Sequence, residues 1–259
     1  MRYFFEISYN GTGYAGWQSQ PNATGIQTVV EECLSLLLRQ KTEVIASGRT
    51  DAGVHCEQQF FHADIEQTIE RTDLIHKMNS FLPHDIAILD VCRVMPEAHA
   101  RYDAVERSYV YRITRRKDPF TVGLAWYFFK PLDVAAMNEA AALLIGKQDF
   151  QCFSKVKTDV NNFICDIKRA SWQETGDRLE FHITANRFLR GMVRAIVGTL
   201  IDVGQGKTSI EKFREILSAR DRREAGANVP PEGLFLKQVT YPADIFLDEH
   251  ITNQRLTGN

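Results

Sequence analysis

Apolar and polar positions alternate along residues 2–9, and this alternation predicts a strand. A glycine-rich stretch follows over residues 10–18, with Tyr14 and Trp17 carried in a loop. Thr24 and Gln27 have the spacing of a capping box. Ile26, Val29, Val30, Cys33, Leu34, Leu37 and Leu38 then share one helical stripe. Short runs predict strands over 42–46 and 57–65, a helix near 71–81 and a strand over 86–94. The order β-α-β-β-α-β is the split arrangement of a ferredoxin-like unit.

A second half begins near Ala104. Residues 107–117 alternate with period two, placing Arg107, Tyr109, Tyr111 and Ile113 on one face and Val110 and Arg112 on the other. A short strand is predicted over 125–129. A helix carries Val134, Met137, Ala141, Leu144 and Ile145 on one face, and strands follow over 164–173 and 178–185. Residues 186–203 predict a helix whose apolar positions, from Leu189 to Val203, are too widely spread for a surface helix, so most of its circumference should be buried. A further helix is capped by Thr208 and Glu211, and a final strand runs over 234–241. Residues 146–162 and 226–233 read as irregular, cleft-lining loops. The expected class is α+β: two ferredoxin-like halves with mainly antiparallel sheets, divided into residues 1–103 and 104–259.

Composition is that of an ordinary globular protein, with 31 basic and 33 acidic residues and a formal net charge of −2. That balance argues against coating nucleic acid through bulk charge, but the charge is unevenly spread. Residues 57–90 hold seven acids and two bases, whereas 101–117 hold six bases and two acids and 207–223 six bases and three acids. Local basic stretches suffice for a selective phosphate site. The five cysteines are odd in number and contain no C-x-x-C pair, so neither a disulfide framework nor a common zinc site is expected. Free thiols, a first segment unlike a signal peptide and the lack of a long apolar run point to a cytoplasmic protein without a membrane span.

The chemistry concentrates in residues 47–55, Ser-Gly-Arg-Thr-Asp-Ala-Gly-Val-His, between two strands. Gly48 and Gly53 permit backbone angles or close approaches that a side chain forbids. Arg49 stands two residues from Asp51, so the loop is suited to presenting an ionised carboxylate. A polar turn would use the same residue types. On the predicted arginine helix, Arg187, Arg190 and Arg194 fall at i, i+3 and i+7, one stripe beside Gly191, Ala195 and Gly198, which let another backbone come close. Buried guanidinium groups need carboxylate or phosphate partners, and one could pair with Asp51. The interleaved arginines and tyrosines of 107–117 suit RNA, with bases on aromatic faces and phosphates on arginines. Asp51 and His55 are the only closely spaced metal-ligand candidates, and no metal is expected. No G-x-S-x-G nucleophile elbow is present.

Five stretches together resemble the tRNA pseudouridine synthase A family: residues 9–18, 47–55, 107–113, 188–200 and 232–236. The resemblance implies an isomerase that converts uridine to pseudouridine at positions 38–40 of the tRNA anticodon stem-loop. The glycosidic bond breaks, the uracil turns, and carbon 5 takes the bond. By this resemblance Asp51 is the essential catalytic carboxylate, as nucleophile or as base. Tyr109 stacks on the target base and helps remove the carbon 5 proton, and Arg194 forms the ion pair that orients Asp51. Arg49 takes the place of the flipped base or holds its phosphate, and Leu234 walls the base pocket. The arginine stripe itself, with one arginine paired to Asp51, leaves Arg187 and Arg190 for an anionic substrate. A homodimer sharing one tRNA, a central RNA-binding cleft between the halves, and no metal or cofactor are also implied.

Three residues depart from the family pattern: Cys56 where a small residue is usual, Gln148 where histidine is general, and Arg190 where an aromatic or histidine is common. An RNA-binding module that kept the fold without catalysis is the second reading of the same residues, and the intact Asp51, Tyr109 and Arg194 favour the enzyme.

Overall fold

The computed structural model describes residues 1–155 and 162–247. The described residues form two compact units, Met1–Val105 joined by residues 236–247, and Glu106–Phe235. The division expected from sequence instead ran from residue 104 to the end of the chain. Its sequence basis was local pattern, which does not show that a late strand returns to an early sheet.

The first unit contains β1 (Arg2–Tyr9), α1 (Ile26–Leu38), β2 (Ile45–Ala46), β3 (His55–Asp64), α2 (Arg71–Phe81) and β4 (Ile86–Arg93). The element order matches the β-α-β-β-α-β expectation. β1 lies between β4 and β3, antiparallel to both, and β2 pairs antiparallel with β3. Phe4 and Phe5 are both fully buried, so both faces of β1 are covered. On one face Phe5 stacks on Phe61 with ring centroids 4.8 Å apart. On the other, Phe4 and Phe60 meet Tyr241 edge-on at 5.2 and 5.3 Å. Two details differ from the sequence reading. The strand expected over 42–46 shortens to Ile45–Ala46, and α1 starts after Gly25 with no side-chain cap. Gln27 does not close a capping box: its carboxamide oxygen accepts from the Ser19 amide (3.3 Å) and its nitrogen donates to Glu31 (2.9 Å).

The second unit contains β5 (Glu106–Thr114), β6 (Trp126–Tyr127), α3 (Val134–Ala142), β7 (Gly146–Asp149), β8 (Ile164–Thr175), β9 (Arg178–Ala185), α4 (Met192–Gly204) and α5 (Ile210–Ala219). β10 (Leu234–Thr240) begins at its end. β5, β9, β8 and β7 are successive antiparallel neighbours, while β6 pairs parallel with β5. The molecule is therefore α+β with mainly antiparallel sheet. α4 is the buried helix the pattern required: of its thirteen residues only Arg194 and Asp202 escape full burial. A Cβ on Gly204 would lie 2.4 Å from the Met137 sulfur, which shows how closely α3 and α4 pack.

The arginine helix itself needs correction. It starts at Met192, not at residue 186, because Gly191 takes a left-handed φ of 71° at its N-cap. Residues 186–191 form a loop instead, tied down by the Asn186 amide donating to the Asp166 carbonyl (3.2 Å). The stripe of Arg187, Arg190 and Arg194 therefore does not exist; only Arg194 is helical. The α5 cap is also displaced by one residue, with Ser209 accepting from the Lys212 amide (3.1 Å). The segment 146–162, expected to be irregular, contains β7 and a 3-10 turn at Gln151–Phe153; its residues 156–161 lie outside the described ones.

Candidate active site

The Ser47–His55 loop is held in the first unit by the glycine-rich loop before α1. Trp17 donates its amide to the Thr50 carbonyl (3.2 Å), and the Gly53 amide donates to the Tyr14 carbonyl (3.2 Å). The Gly11 amide donates to His55 Nδ1 (3.1 Å), which leaves the neutral imidazole's proton on Nε2. Glycine is required here by close approach. A Cβ on Gly11 would lie 2.0 Å from the Val54 carbonyl oxygen, and one on Gly16 would lie 2.3 Å from that of Thr50. The glycine-rich loop is thus a backbone cradle for the aspartate loop. Tyr14 is anchored in turn by donating to Asp85 Oδ1 (2.7 Å). Burial and that hydrogen bond push its phenol well above the usual range.

Asp51 is half-buried and Arg49 is exposed. The Asp51 carbonyl accepts from the Val54 amide (3.1 Å), so the peptides on both sides of the aspartate are hydrogen-bonded. Gly53 has φ of 75°, as its turn role predicts, but Gly48 does not adopt a positive φ, and a Cβ there would meet nothing within 4 Å. Below the loop lies a buried polar chain that sequence reasoning missed. Ser47 Oγ donates to Gln59 Oε1 (3.2 Å), Gln59 Nε2 donates to the Tyr9 hydroxyl (3.1 Å), and Tyr9 Oη lies 2.8 Å from Thr50 Oγ1. The sequence gives little signal for it, because β3 also carries polar residues at His55, Glu57, Gln58 and His62. Cys56, a departure from the family pattern, is buried on the same strand, and its Sγ donates to the Ile7 carbonyl (3.8 Å).

In the second unit Tyr109 lies on β5 opposite Ile183, with Phe188 edge-on at 5.1 Å. That T-shaped contact fixes the phenol ring, a role for Phe188 that spacing did not suggest. Tyr111, on the same strand, is fully buried and donates to the Pro230 carbonyl (2.8 Å). Burial pushes its phenol far above the usual range, and it acts as a pin for the 226–233 loop. Arg107 donates to the Asn186 carbonyl (2.9 Å), which steadies the 186–191 loop bearing half-buried Arg187 and exposed Arg190. Arg112 stacks 4.2 Å over the Phe235 ring and pairs with Glu180 (3.2 Å).

Arg194 is half-buried, and its Nε donates to the Val229 carbonyl (2.7 Å). A guanidinium has five N–H donors, so this bond orients the fork without exhausting it. Gly198 makes the arrangement possible, as the small-residue reading of this helix expected: a Cβ there would lie 1.8 Å from the Ala227 carbonyl oxygen. The 222–229 segment is further held by Arg222, which donates to the Ala225 carbonyl (3.2 Å) and to Asn228 Oδ1 (2.8 Å). Leu234 is buried at the start of β10. Gln148 donates to the carbonyls of Leu143 and Ile145 (both 3.0 Å), closing the end of α3.

One mainly antiparallel α+β unit carries a backbone-pinned aspartate and the other an oriented arginine and an aromatic strand, and the sequence family that the chain matches is one of isomerases. The sequence model of a family described as tRNA pseudouridine synthase matches residues 7–103 and 140–242, and the chain belongs to that family. A tRNA pseudouridine synthase A of Porphyromonas gingivalis is 48% identical over 251 residues, covering 95% of this chain and 99% of that protein. One of Bacteroides fragilis is 48% identical over 248 residues, with 95% and 98% covered. A more distant one, of Exiguobacterium sibiricum, is 38% identical over 241 residues, with 93% and 97% covered. No helix of the described residues is long and apolar enough to cross a membrane.

Proposed function

We propose that this enzyme isomerises uridine to pseudouridine at positions 38–40 of the tRNA anticodon stem-loop, with Asp51 as the essential carboxylate. A base in a stem must leave the stack before its glycosidic bond can be reached. Arg49, exposed beside Asp51, fills the place of the flipped base or holds its phosphate. Tyr109 stacks on the uracil, Leu234 walls its pocket, and Arg194 pairs with Asp51 and orients it. Arg187 and Arg190 hold the RNA backbone. The C1′–N1 bond breaks, the uracil turns, the C1′–C5 bond forms, and the proton on carbon 5 leaves while N1 takes one up, so product and substrate are isomers. No electron is gained or lost, so the reaction needs no redox cofactor. The enzyme works in the cytoplasm as a homodimer whose shared face is basic, which fits a chain of net charge −2.

The observation that carries this reading is the tethering of the Asp51 loop to the glycine-rich loop on both sides of the aspartate, with the Thr50 carbonyl accepting from the Trp17 amide and the Gly53 amide donating to the Tyr14 carbonyl (both 3.2 Å). A solvated turn does not require such restraint; a carboxylate that must meet one atom of a substrate does. The test is tritium release from tRNA transcripts labelled at carbon 5 of uridine, comparing the parent with Asp51→Ala. Release by the parent alone, with product mapped to the anticodon stem-loop, is the expected result. Equal release from the variant would overturn the role of Asp51. Binding of tRNA without release by the parent would make the protein an RNA-binding module.

A further inference from the structure

Thr50 is fixed at both ends. Its carbonyl accepts from the Trp17 amide (3.2 Å) and its side-chain oxygen lies 2.8 Å from the Tyr9 hydroxyl. Tyr9 is held by Gln59 Nε2 (3.1 Å), and Gln59 Oε1 accepts from Ser47 Oγ (3.2 Å). Ser47, Tyr9, Thr50 and Gln59 are 2, 4, 7 and 0% exposed, so the chain is shielded from solvent. Apolar packing could bury this loop without fixing a direction. Hydrogen bonds prefer narrow angles, so a buried polar chain sets the orientation of each group it joins. The last group in this chain is the residue immediately before Asp51.

We infer that Tyr9 is a positioning residue for the Asp51 carboxylate, acting through the Thr50 hydroxyl. The inference rests on the reading of Asp51 as the reactive carboxylate. With the Thr50 side chain and both flanking peptides fixed, the direction in which the Asp51 side chain leaves the backbone is set. Loss of the Tyr9 hydroxyl releases one of these restraints, and a misplacement of about 1 Å at a reacting group can lower a rate about a hundredfold. The loss belongs to the chemical step and not to RNA binding, because the buried chain offers RNA no surface.

The test measures single-turnover rates at saturating enzyme, KM for tRNA and urea unfolding for Tyr9→Phe, Thr50→Val, Thr50→Ser and the double variant Tyr9→Phe/Thr50→Val. We expect Tyr9→Phe and Thr50→Val each to slow the reaction by roughly tenfold to a hundredfold with KM within about twofold. Thr50→Ser, which keeps the hydroxyl, should retain the parent rate. The double variant should be no slower than the slower single one, because both remove the same link. A purely structural role would lower the unfolding midpoint and leave the rate of the folded enzyme unchanged, which would overturn the inference. Additive losses in the double variant would overturn the route through Thr50. Should Tyr9→Phe fail to fold, equal rates for Thr50→Val and Thr50→Ser would be equally decisive against it. Asp51→Asn separates the two levels: parent-like turnover there removes the assigned role of Asp51, whereas an inactive Asp51→Asn beside a fully active Tyr9→Phe removes only the positioning role.

Discussion

Gly16 stands against the backbone of Thr50: a Cβ on Gly16 would lie 2.3 Å from the Thr50 carbonyl oxygen, and Gly16 holds φ of 91°. Alanine there is strained twice, by its backbone angle and by the clash. Together these should destabilise the fold by at least about 2 kcal/mol. Because the neighbouring Trp17 amide holds that same carbonyl, any adjustment moves the residue next to Asp51. Gly16→Ala should therefore lower both the urea midpoint and the turnover of the folded enzyme. An unchanged midpoint would show that the two loops do not pack as described.

Arg194 presents a fork, not merely a charge. Its Nε–H to Val229 oxygen bond (2.7 Å) fixes the plane of the guanidinium. Lysine at this position keeps a positive charge but has no planar fork. Arg194→Lys should lower kcat by at least about tenfold, and Arg194→Met should also destabilise the protein by about 1–3 kcal/mol through loss of a charged hydrogen bond. Both are read from steady-state kinetics paired with urea unfolding. Parent-like kcat in the lysine variant would mean that a point charge suffices.

Much of this was legible in the sequence, and the failures have physical causes. The burial of α4 followed from its apolar spread, and the close approach at Gly198 followed from its small residue. The helix start did not, because the apolar pattern runs through Leu189 into Met192 without a break; only the left-handed φ of 71° at Gly191 marks the boundary. That one turn moved Arg187 and Arg190 off the helix. Asp51 stood out because glycines and charges cluster locally around it. The chain of Ser47, Gln59, Tyr9 and Thr50 did not, because its members are up to 50 positions apart and meet only after β1 and β3 pair. Alternation along 107–117 puts Tyr111 on the same face as Tyr109, in a strand suited to RNA. The structure instead buries Tyr111 beneath Pro230, since local alternation does not show which turns will cover a strand.

All five cysteines are buried, with Cys33 the most exposed at 7%. Burial pushes the thiols of Cys33 and Cys165 up to about 11 and that of Cys152 up to about 12, and Cys56 is raised as well. Thiolate is the reactive form, so these groups should be inert while the protein is folded. Titration with a thiol-reactive disulfide reagent should give no rapid reaction in the native protein and five equivalents in denaturant. A thiol that reacts rapidly under native conditions would contradict the burial of its segment.

His62 should make stability depend on pH above the carboxylate range. It is 4% exposed and packs beside Phe4, with His99 edge-on at 4.8 Å. Its Nδ1 accepts from the Ala100 amide (3.1 Å), a bond that requires an unprotonated nitrogen. Burial, then the charges of Arg2 and His99, push its pKa down to about 4, against the opposing pull of Asp64 and Asp103. The unfolded chain, with an ordinary histidine pKa of about 6.5, takes up the proton first as pH falls. The stabilising contribution is therefore complete above about pH 6.5 and is lost progressively toward pH 4. Between pH 7.5 and 5.0 the expected loss from this residue is about 2 kcal/mol. His99, whose pKa is also lowered chiefly by burial, adds in the same direction. His62→Gln keeps an acceptor for the Ala100 amide but cannot titrate. It should be less stable than the parent at pH 7.5 and lose less stability on acidification, measured by urea unfolding at both pH values. An equal loss in parent and variant would assign the acid sensitivity to other groups.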